Sequence, residues 1–229
     1  MTLPIPYIDL AALLVFALCW FGYAWFAARR STGRASLLTV MNPLRERWFE
    51  QMLTRENRIV DTALTANLLH SATFFSSTTI LVLGGLLALF GSVEKSVDLL
   101  ESLPFAKRST QQLIELKIVV LILLFVYALV KFTWSVRQFN FVTVVIGSIS
   151  PKDKITDADR VAAKSAGGIM KLAGENFSQG MRAYYFAVAA LMWFVQPVFF
   201  IAATLVVTFM VFRMEFHSRT LDVLSETRQ

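Results

Sequence analysis

From Thr62 to Gly91 the chain carries no Asp, Glu, Lys or Arg. A helix over these residues would reach about 45 Å, more than the hydrocarbon core of a bilayer requires. Its content is as informative as its length. Ser71, Thr73, Ser76, Ser77, Thr78 and Thr79 crowd the first half, and the second half is almost pure hydrocarbon around Gly84-Gly85. A helix wrapped only in acyl chains has no use for such a density of hydroxyls. The segment is therefore expected to face protein or water along at least part of its length.

The rest of the chain repeats the membrane signal. Leu10 to Ala28 is uncharged and ends at Arg29-Arg30, with Trp20, Tyr23 and Trp25 in its distal half. The basic residues follow the apolar run instead of preceding it, so it reads as a retained membrane helix and not a cleaved leader. Ile118 to Val130 is shorter, but Leu113, Ile114, Leu116, Phe132 and Trp134 extend it. Lys117 and Lys131 at its ends are expected to snorkel to the interfaces. Arg182 and Arg213 bracket a fourth uncharged run. Two crossings would leave it too few residues each, so the expectation is one long helix bent near Gln196-Pro197. Charged residues make up only 17% of the chain. Soluble domains carry about 25%, so this deficit supports the same placement.

Between these runs, Asn42-Pro43 reads as a helix start, with Leu44, Trp48, Met52, Ile59 and Leu64 on one amphipathic face. That helix turns or runs straight into the second span. Ser92 to Gln112 reads as a mixed-charge connector, the third span continues as helix to Ile149, and Ala158 to Gly174 reads as a short helix weakened at Gly167-Gly168. The fold expected is all-α. It is an integral membrane bundle of four transmembrane helices, about 8–28, 67–91, 113–135 and 182–212, with cytoplasmic amphipathic helical extensions at 29–66 and 136–181. The whole chain forms a single membrane domain.

Loop charges set the orientation. Residues 29–67 hold seven Lys or Arg and 136–180 hold six, against three in 92–112 and three after Phe212. With basic loops kept inside, four crossings place both termini on the non-cytoplasmic side of an inner membrane. The net charge of +6 is accounted for by this bias, and no nucleic-acid partner is expected.

Two sets of residues could carry function. The first lies on the second span: Asn67, His70, Ser71, Thr73, Phe74, Ser77, Thr78, Gly84 and Gly85. His70, Thr73, Ser77, Gly84 and Gly91 fall on one heptad-like seam, and Ser71, Thr78 and Gly85 on the adjacent one. Small and hydroxyl residues on a seam let helices approach closely; the sharper alternative is a path wetted in its cytoplasmic half and narrowed by Phe74 and Phe75. The second set is a cytoplasmic polar layer of Arg58, Asp61, Lys131, Arg137, Gln138, Asn140, Asn176 and Arg182, expected to converge in the folded bundle. Arg58 and Asp61, three apart, are expected to pair. This layer reads either as ordinary interfacial anchors or as a cationic vestibule for anions and lipid headgroups.

Catalytic and metal chemistry find little footing. Cys19 is the sole cysteine, and His70 and His217 are expected at opposite membrane faces. No Ser-His-Asp order, metal-ligating spacing or phosphate loop occurs, so no enzyme, metal or cofactor is expected. The partners expected are membrane lipid and either further copies of the chain or a larger membrane complex.

The stretches RENRIVDTALTANLLHSATFFSSTTILVLGGLLALFG, KFTWSVRQFNF and NFSQGMRAYYFAVAALMWF resemble a bacterial and plant membrane-protein family catalogued as domain of unknown function 599. The resemblance covers nearly the whole chain. It implies a small multi-pass membrane protein, gives weight to Arg58, Asn67, Ser71, Arg137, Asn140, Asn176 and Arg182, and brings no established activity. The leading expectation is an oligomeric channel or transport-related protein; the alternative is a non-catalytic accessory or assembly subunit.

Overall fold

The computed structural model describes residues 6–30, 36–93 and 110–226. The connector expected around Pro104 lies outside them. The chain is all-α: α1 Tyr7–Arg30, α2 Leu37–Met52, α3 Ile59–Gly91, α4 Gln111–Ser148, α5 Asp157–Leu191, α6 Pro197–Phe216 and α7 Arg219–Glu226. Short 3-10 turns occupy Lys152–Lys154 and Met192–Phe194. Four helices are long and apolar enough to cross a membrane, over Tyr7–Ala27, Ile59–Gly91, Gln111–Ser148 and Pro197–Leu224. The protein is a multi-pass membrane protein by that composition.

Local chemistry moves several boundaries. Helix α2 begins at Leu37, not at Pro43, because Ser36 and Thr39 form a capping box. The Thr39 N–H donates to Ser36 Oγ at 3.2 Å and the Ser36 N–H to Thr39 Oγ1 at 2.7 Å. Pro43 then sits inside the helix. Helix α2 closes with i→i−3 bonds from Leu53, Thr54 and Arg55, and a break before Ile59 separates it from α3. The two are not one continuous helix. Ile59, expected on the same buried face as Met52, is exposed. Helix α4 does run to Ser148, as its pattern indicates. Helix α5 runs unbroken through Gly167-Gly168 to Leu191. Tertiary packing of Ala163, Ala166, Met170 and Ala173 holds a stretch that glycine alone would weaken.

The chain divides into two compact units. Unit one comprises Met1–Arg34, Thr79–Ala128 and Met181–Met214; unit two comprises Ala35–Thr78, Leu129–Gly180 and Glu215–Gln229.

In unit one the expected single helix over 182–212 is a hairpin. The rings of Phe186 and Phe200 both pack on Phe16, at 5.7 and 5.1 Å. They therefore lie within about 11 Å of each other, whereas a straight helix would separate them by about 21 Å. The reversal falls at 192–196, where Pro197 cannot donate to a continuing helix. Contacts along α1 confirm the directions. Asp9 meets Trp193, Trp20 meets Phe186 and Tyr23 meets Arg182, so α5 runs antiparallel to α1. Phe16 meets Phe200 and Phe26 meets Phe212, so α6 runs parallel to α1. The beginning of α1 and the end of α6 thus lie at opposite ends of this unit.

Unit two is built on α2, the first part of α3, the last part of α4 and most of α5. Phe49, Met52, Ala72, Phe139, Val142, Ile146, Ala163, Ala166 and Met170 form its core. Helix α7 packs against α2, which places the C-terminal helix beside the 29–66 extension. His70 and His217 both belong to this unit.

Candidate functional site

Helix α3 has two opposed seams. Asp61, Thr65, Ala72, Ser76, Thr79 and Leu86 are buried and recur at helical spacing. Thr79 Oγ1 and the Tyr184 hydroxyl share a hydrogen bond of 2.8 Å in unit one. On the far side of the helix lie Ala66, His70, Thr73, Ser77, Gly84, Ala88 and Gly91, all exposed. These residues are small or polar, and exposed Phe74 and Leu81 stand among them on the same side. No atom comes within 4 Å of a Cβ built on Gly84, Gly85 or Gly91.

The seam read from sequence is therefore real, but its own chain does not cover it. Ser71, Thr73 and Ser77 are exposed and Thr78 is half-buried; of the six hydroxyls only Ser76 and Thr79 are buried. Shelter for the whole hydroxyl stretch within one chain is corrected accordingly. The exposed hydroxyls partly satisfy themselves. Ser71 Oγ donates to the Asn67 carbonyl at 3.1 Å, Thr73 to Leu69 at 2.9 Å and Thr78 to Phe74 at 2.9 Å. The Asn67 amide and the His70 ring are exposed and make no hydrogen bond among the described residues. Phe74 is exposed against Phe75, while Phe75 itself turns to Phe132 and Phe177.

The polar residues of unit two form separate clusters, not one layer. Asp61 is fully buried and accepts from Trp48 Nε1 at 2.6 Å and from Arg55, its ion-pair partner. Arg58 does not pair with Asp61. Its guanidinium donates to the Ile149 and Ser150 carbonyls, both at 2.7 Å, and so caps the C-terminal end of α4. Asn176 Nδ2 donates to Gln138 Oε1 at 3.0 Å, the one expected meeting between clusters. Gln138 lies eleven residues before Ile149, about 17 Å along α4. That spacing rules out a common layer with Arg58. Asn140 and Arg137 are exposed, and Lys131 is half-buried. Arg182, in unit one, lies 5.8 Å from the Tyr23 ring.

Sequence reading missed three features. In unit one, Trp193 donates to buried Asp9 at 2.8 Å, and Lys117 Nζ lies 5.6 Å from the same indole ring. Lys117 is buried and does not snorkel. An indole N–H in an apolar run needs an acceptor, and Asp9 was the sole nearby acid, so that signal was available. The second is Asp159, which accepts from the Thr156 hydroxyl at 2.6 Å and from the Ser150 and Thr156 N–H groups. These bonds, the Thr156 hydroxyl first, hold its carboxyl well below the usual range. Thr156 and Asp159 stand three apart, which is capping-box spacing. The third is Arg45, half-buried beside Gly174 and bonded to Asn42 Oδ1. Burial lowers its pKa, and Glu175 opposes that shift.

Among the described residues no three His, Cys, Asp or Glu side chains are grouped to hold a metal ion. No curated protein and no solved structure matches the chain. A family pattern described as "Protein of unknown function, DUF599" matches residues 11–220, most of the chain's length. Two seams on α3, a half-buried helix-capping arginine and a reversing α5–α6 hairpin are thus properties of a chain that belongs to the DUF599 family of proteins of unknown function.

Proposed function

We propose that this protein assembles into a homo-oligomeric channel of the inner membrane, with the open seam of α3 at the contact between copies. One observation carries the reading: the exposed side of α3 sets His70, Thr73, Ser77, Gly84, Ala88 and Gly91 among bulkier Phe74, Leu81 and Leu87, so small and polar groups stand where an acyl chain offers them no partner. Helix α1 exposes Leu10, Leu14, Leu18, Phe21 and Trp25 with only Ala11, Gly22 and Ala24 between them, and no hydroxyl or amide side chain. Small residues at helical spacing let a second helix approach closely, and Asn67 and His70 then gain protein or water as partners.

The topology proposed has the N-terminus outside and the C-terminus inside. The loops rich in Lys and Arg, 29–66 and 136–180, are then cytoplasmic, and so are the tail arginines. In this arrangement Asn67, His70, Thr73 and Ser77 surround the cytoplasmic half of the axis, and the basic extension draws anions to it. The test is the mass of the purified protein in mild detergent together with ion flux in liposomes. A mass of several chains, with flux altered by Ser77→Leu, supports the channel. A single-chain mass with tight liposomes ends it.

A second reading has its own support. Ser71, Thr73 and Thr78 already bond to their own backbone carbonyls, so the seam can serve as a dry contact. The chain would then be an accessory subunit of a larger complex and would co-purify with it.

A further inference from the structure

We infer that Arg137 on α4 is the docking point for the phosphate of an anionic phospholipid in the inner leaflet. The inference rests on the cytoplasmic placement of 136–180 proposed above, and not on the channel. Arg137 lies just past the apolar run of α4, on its exposed face with Val130, Trp134 and Phe141. The spacing 130, 134, 137, 141 keeps all four on one side of the helix. The guanidinium carbon is 5.6 Å from the Trp134 ring and 5.5 Å from the Phe141 ring. Two aromatic rings hold the cation in place, and no hydrogen bond or ion pair to a described residue uses its N–H groups.

Charge and shape choose the occupant. The guanidinium offers a fixed fork of donors that matches a phosphate group, and no described carboxylate competes for it. Val130, one turn toward the apolar run, and Trp134 offer bulky surface for an acyl chain. Unlike the exposed side of α3, this face carries no glycine. Helix α1 carries a similar pair, with Arg29 stacked 4.0 Å over exposed Trp25. Such a Trp–Arg pair belongs at headgroup level.

The full chain, purified in mild detergent, is titrated with phosphatidylglycerol or phosphatidylcholine, and bound lipid is read per chain by native mass spectrometry. Arg137→Ala is expected to weaken phosphatidylglycerol binding about fivefold and leave phosphatidylcholine unchanged. Arg137→Lys is expected to keep most of the binding, since charge survives without the fork. Equal phosphatidylglycerol retention in Arg137→Ala overturns the inference. So does an altered oligomer mass with unaltered lipid, which would assign this face to a second copy. Lipid is read per chain, so a failed channel leaves the result intact. Labelling of an Asn140→Cys variant by an impermeant maleimide in intact cells would remove the sidedness, and the inference with it.

Discussion

Three glycines of α5 and three of α3 are used in opposite ways, while Gly168 of α5 faces open space like those of α3. On α5, a Cβ at Gly180 would stand 2.6 Å from the Phe132 ring, one at Gly174 would stand 2.6 Å from the Arg45 guanidinium, and one at Gly167 would stand 3.3 Å from the Glu46 backbone. On α3, Gly84, Gly85 and Gly91 face open space. The first set is spent inside the chain, where Phe132 and Arg45 occupy the room that glycine leaves. The second set is unspent in a single copy. A small residue on a membrane helix is thus no guide to an interior until its neighbour is known. The α3 glycines have meaning only if something outside the chain supplies that neighbour.

Four substitutions sharpen or break this contrast, in order of their expected effect on unfolding stability. Gly180→Leu should be the most damaging, by about 3 kcal/mol, because overpacking cannot be relieved. Phe132 is fully buried between Phe75 and Phe177 and has nowhere to move. A thermal midpoint equal to wild type would mean the α5 contact is loose.

Asp159→Ala should come next, lowering the midpoint by a few degrees, about 2–4 °C, through loss of the cap on α5. It also carries a pH signature. The Asp159 carboxyl titrates lower folded than unfolded, so its contribution is present above the unfolded value of about 3.9 and is lost as pH falls toward the folded one. The wild type should therefore lose an acid-dependent increment below about pH 4 that the variant lacks. Parallel midpoint-versus-pH curves for the two would refute that account.

Gly174→Ala should cost little, about 0.5 kcal/mol or less. The clashing atoms are the tip of a flexible Arg45 side chain, and alanine favours the helix. Gly84→Leu should leave the midpoint of the single chain unchanged and reduce the detergent-solubilised mass toward one copy. Were that mass unchanged, the open seam would not be a contact at all.

Much of this architecture could be read from the residues. Uncharged runs located the first three spans and the residues of the fourth, and the pattern beyond Lys131 correctly continued α4 to Ser148. The period of His70, Thr73, Ser77 and Gly84 placed them together on one side of α3, which the chain leaves exposed. What the period could not supply was the identity of whatever covers that face. Hydropathy likewise could not distinguish a bend at Pro197 from a reversal, because both need the same uncharged residues. The decision came from Phe16, which meets Phe186 and Phe200 at once. The polar layer failed for a related reason. Arg58, Gln138 and Asn176 were assigned by position along their helices, yet Arg58 answers the free carbonyls at the end of α4, and Asp61 answers Trp48 and Arg55. Partners thirteen or ninety residues away leave no mark in local spacing.

The pairing of Asp9 with Trp193 has a consequence for biogenesis. The acceptor emerges from the ribosome 184 residues before its donor. At ordinary synthesis rates that interval lasts about 10–40 s. During it the first helix must enter the bilayer with its carboxylate still hydrated or held by the insertion machinery. The α5–α6 hairpin then brings in Trp193, as the last long apolar segment to arrive.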